Sequence, residues 1–294
     1  MSGVPWWVWG LASAVSMGAV DVLSKRALRE FEPGLVGLSR LGFGLLFLAI
    51  PWWLAPPTAL APEFWRTVAL MIPFEIAAFF LLLEALRAAP LAETVPFLSL
   101  SPLFTVLASW LILGERVTAV GFLGILLIAA GGYLLYWHEL RHGALGPLRA
   151  MVRSRGTRLM TVVALIYSVT SVFGKQMTMV SSPLLFPGLY FAVLFAAFAA
   201  VQGLRGMRPA AVWHAVCRRP GVLITMGILD GVSFLVHSIG VLMAPVAYFI
   251  GVKRLSSVVS VVAGGLLFRE DHLRTRAAGA FCMVAGVVLL TLRA

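Results

Sequence analysis

The sequence predicts an all-α integral membrane protein with ten transmembrane helices, arranged as two inverted five-helix repeats around a central cavity. Three observations predict this fold class: the composition, the length of the apolar segments, and an internal repeat. Of the 294 residues, 61% are hydrophobic and 12% are charged, and the mean hydropathy is +0.97. Soluble domains carry roughly 25% charged residues. Lipid rather than water is therefore expected to cover most of the surface.

The apolar segments are long enough to cross a bilayer, which takes about 20 residues of helix. Their predicted bounds are 6–28, 33–54, 65–87, 90–113, 117–137, 158–180, 183–204, 220–243, 245–268 and 273–293. Pro73, Pro96 and Pro102 are expected to interrupt the third and fourth segments, because proline removes a helical hydrogen bond.

The two halves of the chain resemble each other in order and in polar positions. VLSKRA at 22–27 matches VFGKQM at 172–177. FEIAAFF at 74–80 matches LDGVSFL at 229–235, which pairs Glu75 with Asp230. APLAETVPFLSLSP at 89–102 matches APVAYFIGVKRLSS at 244–257. Because each unit has an odd number of spans, the second is expected to lie inverted in the membrane, as in many secondary transporters.

A basic linker at 138–157 separates the first repeat unit, 1–137, from the second, 158–294. Loop charge then predicts the orientation. The side of the termini carries few cations, namely Arg66, Arg116 and Arg293, and the loops on the opposite side carry most of the other arginines. The positive-inside rule places the linker side in the cytoplasm and both termini outside the cell membrane.

One segment carries a family resemblance. This segment is PLAETVPFLSLSPLFTVLASWLILGERVTAVGFLGILLIAAGGYLL, at 90–135, with Pro96 and Pro102, a Gly-Glu pair after the fourth span and a glycine-rich fifth span. These features resemble the EamA-type branch of the drug/metabolite transporter superfamily. The second copy departs from the pattern, with Phe268-Arg269-Glu270 where Gly-Glu is typical. The resemblance implies ten helices around a central cavity and the transport of small metabolites, often outward.

Four charged residues lie near the middle of their predicted spans: Glu75, Asp230, Lys253 and Arg254. A charge at that depth costs at least about 2.5–3.5 kcal/mol unless it is paired or hydrated. One interpretation is a closed salt-bridge cluster, and the other is a substrate site whose cations meet a carboxylate or phosphate. Adjacent helical residues point about 100° apart. Lys253 is therefore expected to face the cavity, and Arg254 to pair with an acid on a neighbouring helix.

Tyr248 and Phe234 complete the predicted substrate-binding set. Tyr248 replaces Glu93 of the first copy and is predicted to donate a hydrogen bond to the substrate, although a packing role is the alternative. Phe234 and His237 share a helix face with Asp230. Glu75, Asp230 and His237 are predicted to carry a coupling proton. A histidine bonded to a neighbouring helix is the alternative for His237.

A second charged group lies toward the cytoplasmic end of the first unit. Its members are Asp21, Lys25, Arg40, Glu84, Arg87 and Glu93. Three acids and three bases at one end predict an ion-pair gate that closes the cytoplasmic mouth of the cavity. The alternative is that these side chains extend along helix ends to the interface.

The predicted function is secondary active transport of a small organic anion or zwitterion by alternating access, as an exporter or an exchanger. A flippase for a lipid-linked phosphate, a cationic-drug exporter and a channel are alternatives. An intramembrane enzyme is the least expected, since the sequence has no catalytic or metal motif, and no cofactor is predicted.

The expected partners are a small-molecule substrate, membrane lipid, and a coupling proton or counter-substrate. The net charge of +11 lies mostly in loops, without the basic stripe that predicts a nucleic-acid partner. A monomer is expected, with a dimer left open.

Overall fold

The computed structural model describes residues 3–56, 58–135, 154–268 and 277–292. Most of the predicted linker, 138–157, and the start of the predicted tenth span lie outside these residues. The first half contains α1 (Trp6–Ala27), α2 (Pro33–Trp53), α3 (Pro62–Ala88), α4 (Leu91–Thr94), α5 (Ser101–Leu113) and α6 (Ala119–Leu135). The second half contains α7 (Arg155–Val180), α8 (Leu185–Leu204), α9 (Pro209–Arg218), α10 (Pro220–Gly240), α11 (Val246–Lys253), α12 (Ser256–Phe268) and α13 (Ala277–Leu292).

Proline and glycine fix several helix ends. Pro33, Pro62, Pro209 and Pro220 are each the first residue of a helix, where proline loses no hydrogen bond and its φ suits the helix. Gly114 ends α5 with φ 67°, a left-handed conformation that glycine adopts without steric cost. The short helix α9, which was predicted as loop, packs against α2 and α10.

The fourth and ninth predicted spans are both broken near their middle. In the fourth, a 3-10 helix at Val95–Leu100 joins α4 to α5. In the ninth, α11 ends at Lys253 and α12 begins at Ser256. The expectation of a break at Pro73 is wrong, because this proline lies inside continuous α3.

Eight helical segments of the described residues are long and apolar enough to cross a membrane. They correspond to the predicted spans one to four and six to nine. The remaining two, α6 and α13, are apolar helices with 17 and 16 described residues. The protein is therefore a multi-pass membrane protein whose regular structure, in the described ranges, is entirely helical, as the composition predicts.

Small residues let the helices of the two halves approach closely. A Cβ added to Gly131 of α6 would lie 2.6 Å from the Gly279 carbonyl oxygen of α13. A Cβ on Gly231 of α10 would lie 3.0 Å from the Gly44 carbonyl oxygen of α2. Backbones this close are typical of membrane helices, in which packing rather than the hydrophobic effect drives association.

The two ends of the bundle are identified by contacts between loops and helix ends. At one end, here the A end, α2 finishes and α3 and α8 begin, and the Phe64 and Phe186 rings are 6.4 Å apart. At the opposite B end, α1 finishes and α2 and α10 begin. There Arg219 donates to Glu30 at 2.8 Å.

Candidate functional site

A cavity lies at the centre of the bundle, between α1, α2, α3, α7, α8, α10 and α11. Its empty volume is about 950 Å³, including space open to solvent. The charged and hydrogen-bonding residues that line it include Arg40, Glu75, Tyr167, Thr170, Tyr190, Asp230, His237, Lys253 and Arg254. The repeat partners Glu75 and Asp230 both line this cavity, which agrees with their matched positions in the sequence.

The cavity extends from the middle of the bundle toward the A end. Its lining includes Met71 in the first half of α3, Phe186 in the first turn of α8 and Thr178 in the last turn of α7. Toward the B end it is closed by aromatic packing. The Phe79 and Phe198 rings meet edge to face at 5.4 Å, and Phe198 is fully buried.

Arg40 and Asp230 form a bidentate ion pair across the two halves. Arg40 donates from Nε to Oδ2 and from Nη2 to Oδ1 of Asp230, both at 2.8 Å. The two side chains are 4% and 10% exposed. The guanidinium also lies over the Phe79 ring, 5.2 Å from its centroid. This planar two-bond geometry suits arginine better than lysine, and it fixes α2 against α10.

Glu75 interacts with two hydroxyl groups, and Lys253 attracts its carboxylate electrostatically. The hydroxyl groups of Thr170 and Tyr190, both from the second half, interact with its carboxylate. Within the described residues, no lysine or arginine forms an ion pair with Glu75. Glu75 is thus the cavity carboxylate that is available for a proton or for a cationic group.

Lys253 and Arg254 both line the cavity, at the break between α11 and α12. Lys253 Nζ lies 3.4 Å from His237 Nδ1. Arg254 Nε donates to the Ser101 hydroxyl at 2.7 Å. In the described part of the chain, neither cation forms an ion pair with a carboxylate. The cavity therefore holds two cationic groups that are not neutralised by a direct partner.

The expected pairing of Arg254 with a neighbouring acid is corrected by this geometry. Arg40, and not Arg254, binds an acid bidentately, and that acid is Asp230. Both members of the Lys253-Arg254 pair line the cavity, although the Arg254 backbone still has helical dihedrals and its N–H donates to the Ile250 carbonyl oxygen.

Aromatic rings form one wall of the cavity. Tyr190 and Phe234 stack with centroids 5.1 Å apart and planes 3° apart. Phe191 meets Phe234 edge to face at 5.2 Å, and the His237 ring stacks on Phe234 at 5.9 Å. Phe234 and His237 thus line the cavity, as their predicted roles require. The site combines an apolar, planar wall with cations at its inner end.

Tyr248, predicted to bind substrate, faces away from the cavity. Its hydroxyl accepts a hydrogen bond from the Thr118 backbone N–H at 2.9 Å and lies 3.2 Å from Thr118 Oγ1. The ring packs against Gly121 of α6. The alternative of a packing tyrosine describes it better.

The six residues predicted as a gate have separate described contacts. Arg40 lies in the cavity with Asp230, and Asp21 is buried beside Ser260, 3.0 Å from its hydroxyl. Lys25 donates to the backbone carbonyls of Leu86 and Ala89. Three others lie nearer the surface: Glu84 is 3.8 Å from Arg155, Arg87 is exposed, and Glu93 is half-buried.

Sequence reasoning missed the hydroxyl partners of Glu75 and one partly buried ion pair. Thr170 and Tyr190 gave no signal, because hydroxyl and aromatic residues are common in apolar spans. Lys175 donates to Glu115 at 2.6 Å and to the Ala244 carbonyl at 2.7 Å. The match between Lys25 and Lys175 could have indicated this pair, since the two lysines cap matched carbonyls, those of Ala89 and Ala244.

The fold and the cavity define a multi-pass membrane protein with a charged central site. The model of the EamA-like transporter family matches residues 4–137. This match confirms the resemblance stated from the sequence, and the matched region belongs to the EamA-like transporter family, within the drug/metabolite transporter superfamily.

Comparison with solved structures supports the fold. One crystal structure is 21% identical, with a TM-score of 0.69, and the match covers 96% of this chain and 99% of the other chain. At that identity the likeness shows the fold alone. No curated protein matches the chain.

Proposed function

We propose that this protein is a secondary transporter that carries a small organic anion or zwitterion by alternating access. The observation that carries the proposal is the placement of Lys253 and Arg254 in the central cavity without a carboxylate partner among the described residues. An unpaired charge in the membrane is costly and typically functional. An anionic group on a substrate would neutralise these two cations.

We propose that the rest of the cavity selects among anions. The aromatic wall around Phe234 suits an apolar, planar portion of the substrate. Glu75, held by two hydroxyls, is the group for a substrate ammonium or for a coupling proton. Asp230 is held by Arg40 and contributes mainly to the joining of the halves. Lys253 and Arg254 disfavour a cationic drug, since like charges in a desolvated site repel.

We further propose ten membrane spans in two inverted units, 1–137 and 158–294. Matched contacts support the inversion. An offset of 155 residues relates Gly124 to Gly279 and Gly131 to Gly286, and the contacts join Gly124 to Gly286 and Gly131 to Gly279. Such exchange of partners is what a twofold axis in the membrane plane produces.

The orientation follows from the loop charges. With the positive-inside rule, the B end, which carries Arg29, Arg205 and Arg219, is cytoplasmic, and the A end faces outward. The cavity, which extends toward the A end and is closed at the B end, then corresponds to an outward-facing conformation in the cell membrane.

A thermal-shift experiment with matched aromatic ligands tests the charge preference. Benzoate and phenylalanine are expected to stabilise the purified protein, while benzylamine and benzyl alcohol are not. A charge-assisted hydrogen bond contributes about 1.5–3 kcal/mol. Lys253→Ala should therefore weaken binding of the stabilising ligand roughly ten- to a hundredfold, and Arg208→Ala, at an exposed loop position, should not. Stabilisation by benzylamine alone would refute the proposal.

A further inference from the structure

Asp21 is a buried acid that the substrate site does not use. It lies on α1 one turn beyond the cavity residue Met17, toward the B end, and is 1% exposed. Its Oδ2 is 3.0 Å from the Ser260 hydroxyl of α12. Its Oδ1 is buried and has no hydrogen-bond partner among the described residues. No described lysine or arginine forms an ion pair with it.

The hydrogen bonds around Asp21 indicate where a proton would be held. Ser260 Oγ lies within bonding distance of two acceptors, Asp21 Oδ2 at 3.0 Å and the Gly18 carbonyl at 3.4 Å. A serine hydroxyl carries one hydrogen and can serve one of them. With a proton on Asp21 Oδ2, both hydrogen bonds of Ser260 can form, because Asp21 then donates to the Ser260 hydroxyl and Ser260 donates to the Gly18 carbonyl. A neutral acid also avoids the cost of an unpaired buried charge.

Asp21 interacts electrostatically with the charges of the substrate cavity. Arg40 on α2 and Arg254 at the end of α11 attract its carboxylate, as does Lys253, and Asp230 on α10 repels it. Ser260 is the polar neighbour from α12, and Lys25 on the same helix is bonded to backbone carbonyls. Asp230 already offsets Arg40. The attraction that a ligand can change is that of Lys253 and Arg254.

We propose that Asp21 is a proton-binding site, separate from the cavity, that is protonated when an anion occupies Lys253 and Arg254. The inference rests on the proposed transport function. A bound anion offsets the two cations and so removes their stabilisation of ionised Asp21. Anion binding and protonation then favour each other to the same degree, because linkage is reciprocal.

In the transport cycle, water on one side of the membrane gives a proton to Asp21 as the anion binds. Water on the other side accepts it as the anion leaves. One monoanion and one proton move together, without net charge. A gradient of one pH unit corresponds to about 1.36 kcal/mol and sustains about tenfold accumulation of the anion. A membrane potential alone should drive no accumulation of the anion.

Infrared spectroscopy of the substrate-free protein tests the site without any ligand. The carbonyl stretch of a protonated carboxylic acid is recorded as the pH is raised. Asp21→Asn should remove one titrating band that Glu75→Gln retains. Ser260→Ala should shift the frequency of that band, because it removes the acceptor. The Ser260 variant keeps the test decisive if Asp21→Asn does not fold. A spectrum that neither Asp21→Asn nor Ser260→Ala alters overturns the proposal.

Proteoliposomes with a clamped membrane potential test the coupling with whichever of benzoate and phenylalanine is transported, because zwitterionic phenylalanine and one proton together carry a positive charge. Asp21→Asn should still exchange labelled for unlabelled substrate but should lose the tenfold response to a pH gradient. Accumulation that follows a sodium gradient, or a variant that keeps the pH response, overturns the proposal. If the wild-type protein transports neither compound, the proposed function fails for these substrates, while the infrared result still decides whether Asp21 holds a proton.

Discussion

The Arg40–Asp230 pair should be a large single contributor to the joining of the two halves. We consider Asp230→Asn, and a double-mutant cycle made of Arg40→Met, Asp230→Leu and the variant that combines these two. Both charges are nearly fully buried and joined by two 2.8 Å hydrogen bonds. Removing one partner leaves the other as an uncompensated buried charge.

The expected magnitude follows from that burial. Breaking a buried pair by removing one partner costs about 3–5 kcal/mol. Asp230→Asn should lower the unfolding free energy by about 3 kcal/mol. The loss is at the low end of the range because the Asn oxygen still accepts one bond and the Phe79 ring still faces the guanidinium. The double variant places apolar side chains in the same space. It should lose less than the sum of the single changes, with a coupling energy of about 2–3 kcal/mol.

Unfolding in mixed micelles, followed by tryptophan fluorescence, measures these free energies. The control is Arg155→Met at the exposed pair with Glu84, which should change stability by at most about 1 kcal/mol. Strictly additive effects of the Arg40 and Asp230 substitutions would show that the pair contributes no interaction energy, and would refute the reasoning.

Three further outcomes are expected. Gly279→Ala places a methyl group against the α6 backbone and should lower the unfolding free energy by about 1–3 kcal/mol. The control Gly203→Ala, whose added methyl group meets nothing within 4 Å, should not lower it. Equal effects of the two substitutions would contradict the close contact. Tyr248→Phe should cost about 1 kcal/mol of stability and leave ligand affinity unchanged, and a loss of affinity would return Tyr248 to the binding site. Arg219 holds the pKa of Glu30 below its usual range, so the stabilisation from this pair is present above the unfolded pKa of Glu30 and is lost as pH falls through its folded pKa. In Glu30→Gln, the unfolding free energy should depend less on pH in that window. An unchanged pH profile would show that the pair contributes nothing to stability.

Positions that break the apolar pattern could be predicted from the sequence. Glu75 and Asp230 are charged residues at matched positions, and both line the cavity. Lys253, expected to face the cavity, does so. These positions could be predicted because a charge in an apolar span has few places to lie, and because the repeat fixes its depth.

Partner choice could not be predicted. Arg254 is expected to pair with an acid and instead donates to the Ser101 hydroxyl, while Arg40 binds both carboxylate oxygens of Asp230. A tyrosine such as Tyr248 fits either a cavity wall or a contact between helices. The position of α6 determines which of these environments Tyr248 has, and the sequence does not give that position. Among the predicted gate residues, Arg40 bonds Asp230 in the cavity and Lys25 bonds backbone carbonyls, and an approximate span boundary does not specify such partners.

Backbone touches backbone along α6 and α13 at two places, Gly124 against Gly286 and Gly131 against Gly279. When each residue is replaced by its partner in the other repeat unit, the Gly124–Gly286 contact becomes the Gly131–Gly279 contact, and the reverse. If the two units swap shapes during transport, the swap returns the same pair of contacts. This seam can then remain stationary as a pivot while other helices rearrange. A side chain inserted there would strain the outward-facing and the inward-facing forms alike, and so would lower stability without biasing the direction of transport.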